Sequence, residues 1–339
     1  MAQRVSIRGT DHVLHVRPDQ TILDAALEAG ISYPHGCRSG RCGACKTRLV
    51  EGEVAMLPHT PFALPESERQ NGLILACRAV PRTNGSVLWL DQDEEPPQHS
   101  LRKLRCLVTA ETSVTHDIKH IRLSVESGGP FTYSPGQYAR ITLPGVPPRD
   151  YSMASWPGQG HLEFFVRRVS GGVTSTRIFL SLRAGDVVYV EGPFGSAYLR
   201  ERHAGPILCV AGGSGLAPIK SIVAAATVAG LRQPIRVYFG ARSERDLYLV
   251  EWFTALSSNH PNLTFIPVLS EPHAPTAYRT GFVSEAIARD LADLDGWKAY
   301  VAGPPAMVEA TGRVLQERGL RARDLHADVF FTPELAPAA

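Results

Sequence analysis

Gly36-Cys37-Arg38-Ser39-Gly40-Arg41-Cys42-Gly43-Ala44-Cys45 sets the plan of this 339-residue chain, together with a fourth cysteine in Leu75-Ala76-Cys77-Arg78. The C-x4-C-x2-C spacing followed by a distant cysteine is the ligand pattern of a plant-type 2Fe-2S cluster, with Cys37, Cys42, Cys45 and Cys77 as its thiolates. A loop that wraps two irons must turn its amides toward sulfur, and Gly36, Gly40 and Gly43 supply the backbone freedom this requires. A four-cysteine zinc site is the alternative. Zinc motifs, however, usually pair two short knuckles, whereas here one dense loop meets a single remote cysteine.

Around this loop the chain alternates apolar and polar residues from Arg4 to Val16, and a capped amphipathic stretch runs from Thr21 to Ala29. Strand-like runs at Lys46–Val50, Gly72–Val80 (carrying Cys77) and Ser86–Leu90 complete a small mixed sheet with one crossing helix. This is the plan of a β-grasp ferredoxin. The polar, diproline stretch Asp91–Ser100 cannot build a core and reads as a linker. Short strand-like runs separated by Gly and Pro from Leu104 to about Arg200 predict an antiparallel barrel, with a helix near Thr174–Leu182. Beyond Gly205 the order strand, helix, strand, helix, strand predicts a doubly wound parallel sheet, with a helix expected from Arg245 to Ser257. The expected division is therefore 1–93, linker 94–103, barrel 104–203 and nucleotide domain 204–339, a multidomain α+β and α/β protein.

A net charge of +2 carries no nucleic-acid signal, and no segment offers the ~18 uninterrupted apolar residues of a membrane span. Met1–Val5 leads straight into strand-like sequence, and six cysteines, four in a cluster pattern, suit a reducing compartment. A cytoplasmic protein is expected. Cys106 and Cys209 lie in apolar runs and read as core.

Arg149-Asp150-Tyr151-Ser152 and Gly171-Gly172-Val173-Thr174-Ser175 together resemble the ferredoxin-NADP reductase superfamily. The resemblance implies FAD held by Arg149 on its pyrophosphate, Tyr151 along its ring and Ser152 near its reactive N5. Gly172, Val173 and Ser175, at a helix start, would meet the diphosphate. Gly212-Gly213-Ser214-Gly215-Leu216-Ala217-Pro218 resembles the family's glycine-rich nucleotide turn, which implies NAD(P)H contacts at Gly213, Ser214 and Gly215. Ala302-Gly303-Pro304-Pro305-Ala306-Met307 matches the family's C-G-P-P-x-M except at Ala302, where the usual cysteine lies beside the nicotinamide; Gly303 and Pro304 would contact the dinucleotide. His326-Ala327-Asp328-Val329-Phe330-Phe331 resembles the terminal segment, implying Asp328 and Phe330 near the flavin.

Past the second strand of the nucleotide domain, Arg242, Ser243 and Arg245 could read a 2′-phosphate, and no carboxylate immediately follows that strand. NADH-using relatives carry the same Gly-Ala-Arg sequence, so NADH and NADPH both stay open, with NADH favoured.

Taken together, the chain resembles the reductase components of bacterial ring-hydroxylating dioxygenases, of the naphthalene and terephthalate type. That resemblance implies an enzyme passing electrons from NAD(P)H through FAD and the cluster to a ferredoxin or terminal oxygenase. Nicotinamide delivers an electron pair and the cluster accepts single electrons, so flavin is the required mediator, with Ser152 and Asp328 shaping the first transfer. Reductases of diiron monooxygenases and of CDP-sugar 3-deoxygenation share the layout and stay open as alternatives. Arg38, Arg41, Lys46 and Arg78 around the cluster could steer an acidic protein partner, and tuning of the cluster potential or plain solvation of the loop stays open beside that.

Overall fold

The computed structural model describes residues 2–31, 33–89, 95 and 99–331, and the chain divides into two compact units, Met1–Pro96 and Pro97–Ala339. Residues 94 and 96–98 of the expected linker lie outside the described residues.

In the first unit the alternating N-terminal residues form the hairpin β1 (Gln3–Arg8) and β2 (Val13–Val16), followed by helix α1 (Ile22–Glu28). The Thr21 hydroxyl caps α1 by accepting the Asp24 amide at 3.1 Å. After the cysteine loop come β3 (Lys46–Glu51), β4 (Val54–Met56), the short helix α2 (Glu66–Gln70), β5 (Leu73–Leu75), β6 (Ala79–Pro81) and β7 (Gly85–Trp89). The main sheet has the order β2-β1-β7-β3-β5, with β1 and β7 parallel, and β4 pairs β6 separately. Ile7, Leu14, Ile22, Leu23, Ala26, Leu75 and Val87 fill the space between sheet and α1.

One expectation is corrected here. Gly72–Val80 is not a single strand: β5 ends at Leu75, the Arg78 amide bonds back to the Leu75 carbonyl at 2.8 Å, and β6 joins another sheet. Cys77 sits on the turn because its thiol must leave the sheet to meet the loop.

In the second unit the strands β8 (Arg102–Ser113), β9 (Ile118–Ser127), β10 (Tyr138–Thr142), β11 (Arg149–Ser152) and β12 (Leu162–Arg167) precede helix α3 (Val173–Ser181) and strand β13 (Val187–Phe194). Their order is β11-β10-β13-β8-β9-β12, all antiparallel, and a bridge from Met153 to Phe164 brings the edge strands together into a nearly closed barrel. The parallel sheet then follows: β14 (Ile207–Gly212), α4 (Leu216–Val228), β15 (Ile235–Ala241), α5 (Val250–Asn259), β16 (Leu263–Leu269), β17 (Arg279–Thr280), α6 (Val283–Asp290), β18 (Lys298–Gly303), α7 (Pro305–Glu317) and β19 (Leu325–Val329). Its order is β17-β16-β15-β14-β18-β19. Every residue of β14 is buried, as a central parallel strand covered on both faces must be.

The helix expected from Arg245 starts later. Glu244–Asp246 instead makes a tight turn capped by Ser243 and Asp246, Leu249 takes φ 59°, and α5 begins at Val250. Asp246 satisfies the turn's amide with its own carboxylate, and Tyr248 is drawn into the core, so the chain cannot coil sooner.

The barrel and the parallel sheet share a core in which Ile118, Ala154 and Phe165 pack with Leu216, Ile219 and Val223 of α4. Buried Lys220 of α4 reaches Glu163 of β12 at 2.5 Å and the Ala154 carbonyl at 3.2 Å, while Ser221 donates to the Ser155 carbonyl. Burial alone would raise the Glu163 pKa, but the nearby His120 ring and the hydrogen-bonded, charged Lys220 hold it below the ordinary carboxylate range.

Candidate functional site

The cysteine loop is organised by backbone amides. The Cys37 amide points at the Cys42 sulfur (3.3 Å), and the Ser39 and Arg41 amides point at the Cys37 sulfur (3.5 and 3.3 Å). Amides of Ala44 and Gly40 serve Cys42 and Cys77 in the same way. Gly40 takes φ +74°, and a Cβ there would lie 2.7 Å from the Arg78 side chain and 2.9 Å from His59. Backbone bonds from the Ala76 amide to the Cys45 carbonyl (3.0 Å) and from the Leu23 amide to the Ala76 carbonyl (3.0 Å) pin the Cys77 turn against the loop and α1.

The four thiols influence one another as two pairs, Cys37 with Cys42 and Cys45 with Cys77. Among the described residues, no three cysteine sulfurs form a group mutually within 4.8 Å. A single tetrahedral zinc would gather all four sulfurs within roughly 4 Å of one another, whereas two irons sharing bridging sulfides need one pair each. The residues present therefore fit a binuclear cluster. Within each pair one thiol gives up its proton easily: the hydrogen bond from Cys42 holds Cys37 down at about 5, and that from Cys45 lowers Cys77. Cys45 and Cys77 are buried while Cys37 and Cys42 are partly exposed, so the loop has an inner and an outer edge.

Of the four expected steering cations, Arg38 pairs with Asp24 at 2.8 Å and Lys46 with Glu68 at 2.7 Å, while the Arg78 guanidinium folds back onto the Pro58 carbonyl at 2.9 Å. Much of the positive edge anticipated from the sequence is thus compensated in place.

In the second unit Arg149 and Tyr151 lie on β11, opposite Ile141 and Ala139 of β10. Arg149 is exposed, its guanidinium resting on the Pro148 carbonyl at 2.9 Å; Tyr151 is half-buried, and burial pushes its phenol pKa up. Among the described residues, neither takes part in an ion pair that would bar a phosphate or a flat ring. Buried Ser152 donates its hydroxyl to Asp328 of β19 at 2.6 Å, across 176 residues of sequence. Phe330 is held just beyond β19 by its amide bond to the Gly303 carbonyl at 2.9 Å.

Gly172 is the N-cap of α3 and supplies no side chain to the first amides, leaving them open to an anion. Beside it lies a cavity of about 480 Å³ lined by Val146, Gly171, Gly172, Val173, Thr176 and Arg177. The Ser175 hydroxyl receives the Val169 amide (3.1 Å) and donates to the Gly172 carbonyl (3.2 Å), so the side chain shapes the turn that presents the helix amides.

At the carboxyl edge of the parallel sheet, Gly213, Ser214 and Gly215 form a tight turn between β14 and α4. A Cβ on Gly215 would lie 2.1 Å from the Ala302 carbonyl, and one on Gly303 would strike Met307 and Gly212, so the two glycine segments pack backbone to backbone. Ala302 aligns with Ala211 on one side and Asp328 on the other, and Pro304 caps α7. Ser152, Asp328, Phe330, Gly303 and the β14 turn therefore converge on one end of the sheet.

Beside Arg242, which the sequence marks in Gly-Ala-Arg, two residues of this edge carry no sequence motif. Arg167, at the end of β12, lies 3.3 Å from the position of a Cβ on Gly213 and donates to Asp117 at 2.7 Å. The Tyr248 hydroxyl fixes the Gly213 carbonyl at 3.0 Å. Arg242, one residue beyond β15, donates to Asp246 at 2.9 Å. No local pattern ties these residues together; each comes from a different strand or turn. The half-buried His326 ring stacks on Tyr300 with centroids 5.3 Å apart, which accounts for its place in the segment without giving it a chemical part.

Comparison with known proteins covers both units. Residues 5–82 match the 2Fe-2S iron-sulfur cluster binding domain, 105–198 the oxidoreductase FAD-binding domain and 209–313 the oxidoreductase NAD-binding domain. The chain is 38% identical to the reductase component of the naphthalene 1,2-dioxygenase/salicylate 5-hydroxylase systems of Ralstonia sp., over 94% of this chain and 95% of the relative. It is 35% identical to the naphthalene 1,2-dioxygenase reductase component of Pseudomonas putida (96% and 98%) and 34% identical to the phenol 2-monooxygenase reductase component of a Pseudomonas species (98% and 95%). Among solved structures, the cytochrome P450 reductase GcoB of Amycolatopsis superposes with a TM-score of 0.77 at 34% identity, covering 97% of this chain and 98% of that one. The ferredoxin reductase of carbazole 1,9a-dioxygenase gives 0.70 at 29% identity, covering 98% and 99%.

Proposed function

This chain belongs to the family of ferredoxin-NAD(P)+ reductase components of oxygenase systems, and we propose that it delivers electrons singly, through Cys37, Cys42, Cys45 and Cys77, to a ferredoxin or terminal oxygenase of an aromatic ring-hydroxylating system. It is an NAD(P)H oxidoreductase that uses FAD and a 2Fe-2S cluster. The sorting of the four thiols into two pairs carries the reading of the exit terminal, because that arrangement suits two irons and a one-electron carrier. FAD, when bound, supplies the conversion of an electron pair into two single electrons.

The chain's own residues do the positioning. We assign the flavin phosphates to Arg149 and the open amides at Gly172 and Val173, and the flavin ring to Tyr151 and Phe330. The dinucleotide falls to Gly213, Ser214, Gly215, Arg242, Gly303 and Pro304. Ser152 and Asp328 form one hydrogen-bonded unit; the carboxylate fixes the hydroxyl proton along a single line and so sets the polarity at the reacting edge. Ser175 contributes by holding the turn. Domain limits of 1–93, 104–203 and 204–339 follow these assignments. A cytoplasmic location agrees with six cysteines outside any disulfide among the described residues; among the same residues, no helix is long and apolar enough to cross a membrane.

The relatives include reductases of phenol and propane 2-monooxygenases, so a monooxygenase component is the second reading of the acceptor. The deciding experiment combines the visible spectrum with acceptor assays. Overlapping flavin and cluster bands should bleach on adding NADH or NADPH, and reoxidation should be fast with the correct oxygenase component. A colourless protein, or one whose cluster bands never bleach, would sink the reading.

A further inference from the structure

Ser152, the barrel residue assigned to the reacting edge, opens the short run Ser152-Met153-Ala154-Ser155, which leaves β11 and ends against α4. Two side chains of α4 take hold of that run. Lys220 donates to the Ala154 carbonyl at 3.2 Å and to Glu163 of β12 at 2.5 Å, and Ser221 donates to the Ser155 carbonyl. The Ser155 hydroxyl in turn accepts the Glu163 amide at 3.2 Å and meets the Tyr133 phenol at 2.8 Å. All of these groups are out of water: Lys220 is 6% exposed, Glu163 4%, and Ser155 and Ser221 0%. The rings of Trp156 and Trp252 flank the ammonium at 5.9 and 5.6 Å, so its place is fixed by packing as well as by charge.

The same helix begins at the glycine turn. Gly213–Gly215 runs directly into Leu216, and Lys220 and Ser221 stand about a turn and a half further along one continuous helix. A buried ion pair often stabilises no better than well-packed apolar side chains of the same volume; what it adds is a fixed distance and direction. We propose that Lys220 and Ser221 are positioning residues for flavin reduction. By binding the Ala154 and Ser155 carbonyls and Glu163, they set how far the glycine turn stands from Ser152, and so how the nicotinamide of a bound NAD(P)H meets the flavin edge. The inference rests on the assignment above of Gly213, Ser214 and Gly215 to the dinucleotide and of Ser152 to the flavin. Transfer of an electron pair from NAD(P)H, which is oxidised, to the flavin, which is reduced, is steep in the alignment of the two rings. A displacement of about 1 Å can cost about 100-fold in rate. Lys220 and Ser221 act on that alignment through the backbone that follows Ser152, not at the reacting atoms.

The test uses the full-length, flavin- and cluster-loaded protein and two variants. Ser221→Ala removes one link, and Lys220→Met combined with Glu163→Gln removes both charges together, so that neither is left buried alone. Anaerobic stopped flow with NADH and with NADPH gives the limiting rate and the half-saturating concentration separately. The long-wavelength charge-transfer band of the reduced flavin with NAD+ reports how the two rings stack, and amide hydrogen exchange over residues 216–222 reports the hold on α4 with no nucleotide present. In both variants the limiting rate should fall about 10- to 100-fold while the half-saturating concentration changes less than about threefold. The charge-transfer band should weaken and exchange at the start of α4 should quicken. Should the double variant fail to fold or to keep its flavin, Ser221→Ala, which removes a single hydroxyl, decides. A limiting rate and charge-transfer band equal to wild type in a folded, flavin-loaded variant would overturn the inference and leave these contacts a purely structural link. A loss confined to the half-saturating concentration would overturn it as well, since binding would have weakened with alignment intact. Failure of the unmodified protein to be reduced by either dinucleotide is a different result: it would overturn the nucleotide assignment itself.

Discussion

The cysteine loop and the Ser152–Asp328 contact are built on opposite plans. Three of the four thiols lie within nine residues, and neighbouring backbone amides at Cys37, Ser39 and Arg41 aim at their sulfurs, so the loop's chemistry is largely a property of one short segment. Ser152 and Asp328 stand 176 residues apart and meet only because the barrel seats its β11 edge against the last strand of the parallel sheet. The difference lies in which interactions set the geometry. Backbone dipoles and a few glycines position sulfur locally, whereas a side-chain pair across a domain contact depends on everything that holds the contact closed. Function at the first site should therefore fail by loss of a ligand, and at the second by loss of alignment.

The largest test of that contrast removes a ligand. Cys77→Ser should abolish electron delivery to the protein acceptor while NAD(P)H-dependent reduction of ferricyanide, taken from the flavin, continues. Loss of both activities in a folded, flavin-loaded variant would break the proposed order of transfer.

Next in size is the buried latch. Lys220→Met leaves Glu163 without its ammonium partner, and should cost about 3–5 kcal/mol in the unit that holds barrel and parallel sheet. Thermal unfolding followed by flavin release should register the loss, while the cluster's visible bands melt as before. The latch also predicts a pH signature. Glu163 has a folded-state pKa below its unfolded value, so its stabilisation is complete above about pH 4.5 and is lost as pH falls below that. In Lys220→Met that acid dependence should flatten; an unchanged slope would mean the latch does not hold the contact.

A smaller and more local effect is expected at the contact itself. Ser152→Ala should slow flavin reduction roughly 10- to 100-fold with little change in stability, since a polar group aligned at the reacting edge is lost. A proportionate loss in Asp328→Asn, and no further loss in the double variant, would mark the two as one unit. The smallest change expected is at Ala302, where the family usually carries cysteine. Ala302→Cys restores a polarisable sulfur and should raise the same rate about two- to tenfold, read by stopped flow. No rise would leave the substitution neutral.

Much of the architecture was legible in the primary structure because its marks are local. Cysteine spacing, glycine turns and the change from alternating strands to strand-helix rhythm each arise within a dozen or so residues. Errors fell where local preference met a tertiary demand. Gly72–Val80 alternates like one strand, yet Cys77 must turn out of the sheet to reach the loop. Arg245–Ser257 has helical composition, yet the Asp246 cap and burial of Tyr248 delay α5 to Val250. The pairing of Arg38 and Lys46 was not legible because Asp24 and Glu68 lie 14 and 22 residues away from them in the chain (38 − 24; 68 − 46).

By itself, then, the amino-acid sequence determined the cluster ligands expected, the three kinds of domain and the turns that would face phosphate, since each is encoded in contiguous residues whose backbone conformations are short-range. Only the tertiary structure decided that the thiols fall into two pairs, that the Ser152 hydroxyl donates to Asp328, and that Asp117 and Asp246 flank Arg242. Those are distances between side chains on separate strands, and such distances follow from how the layers pack.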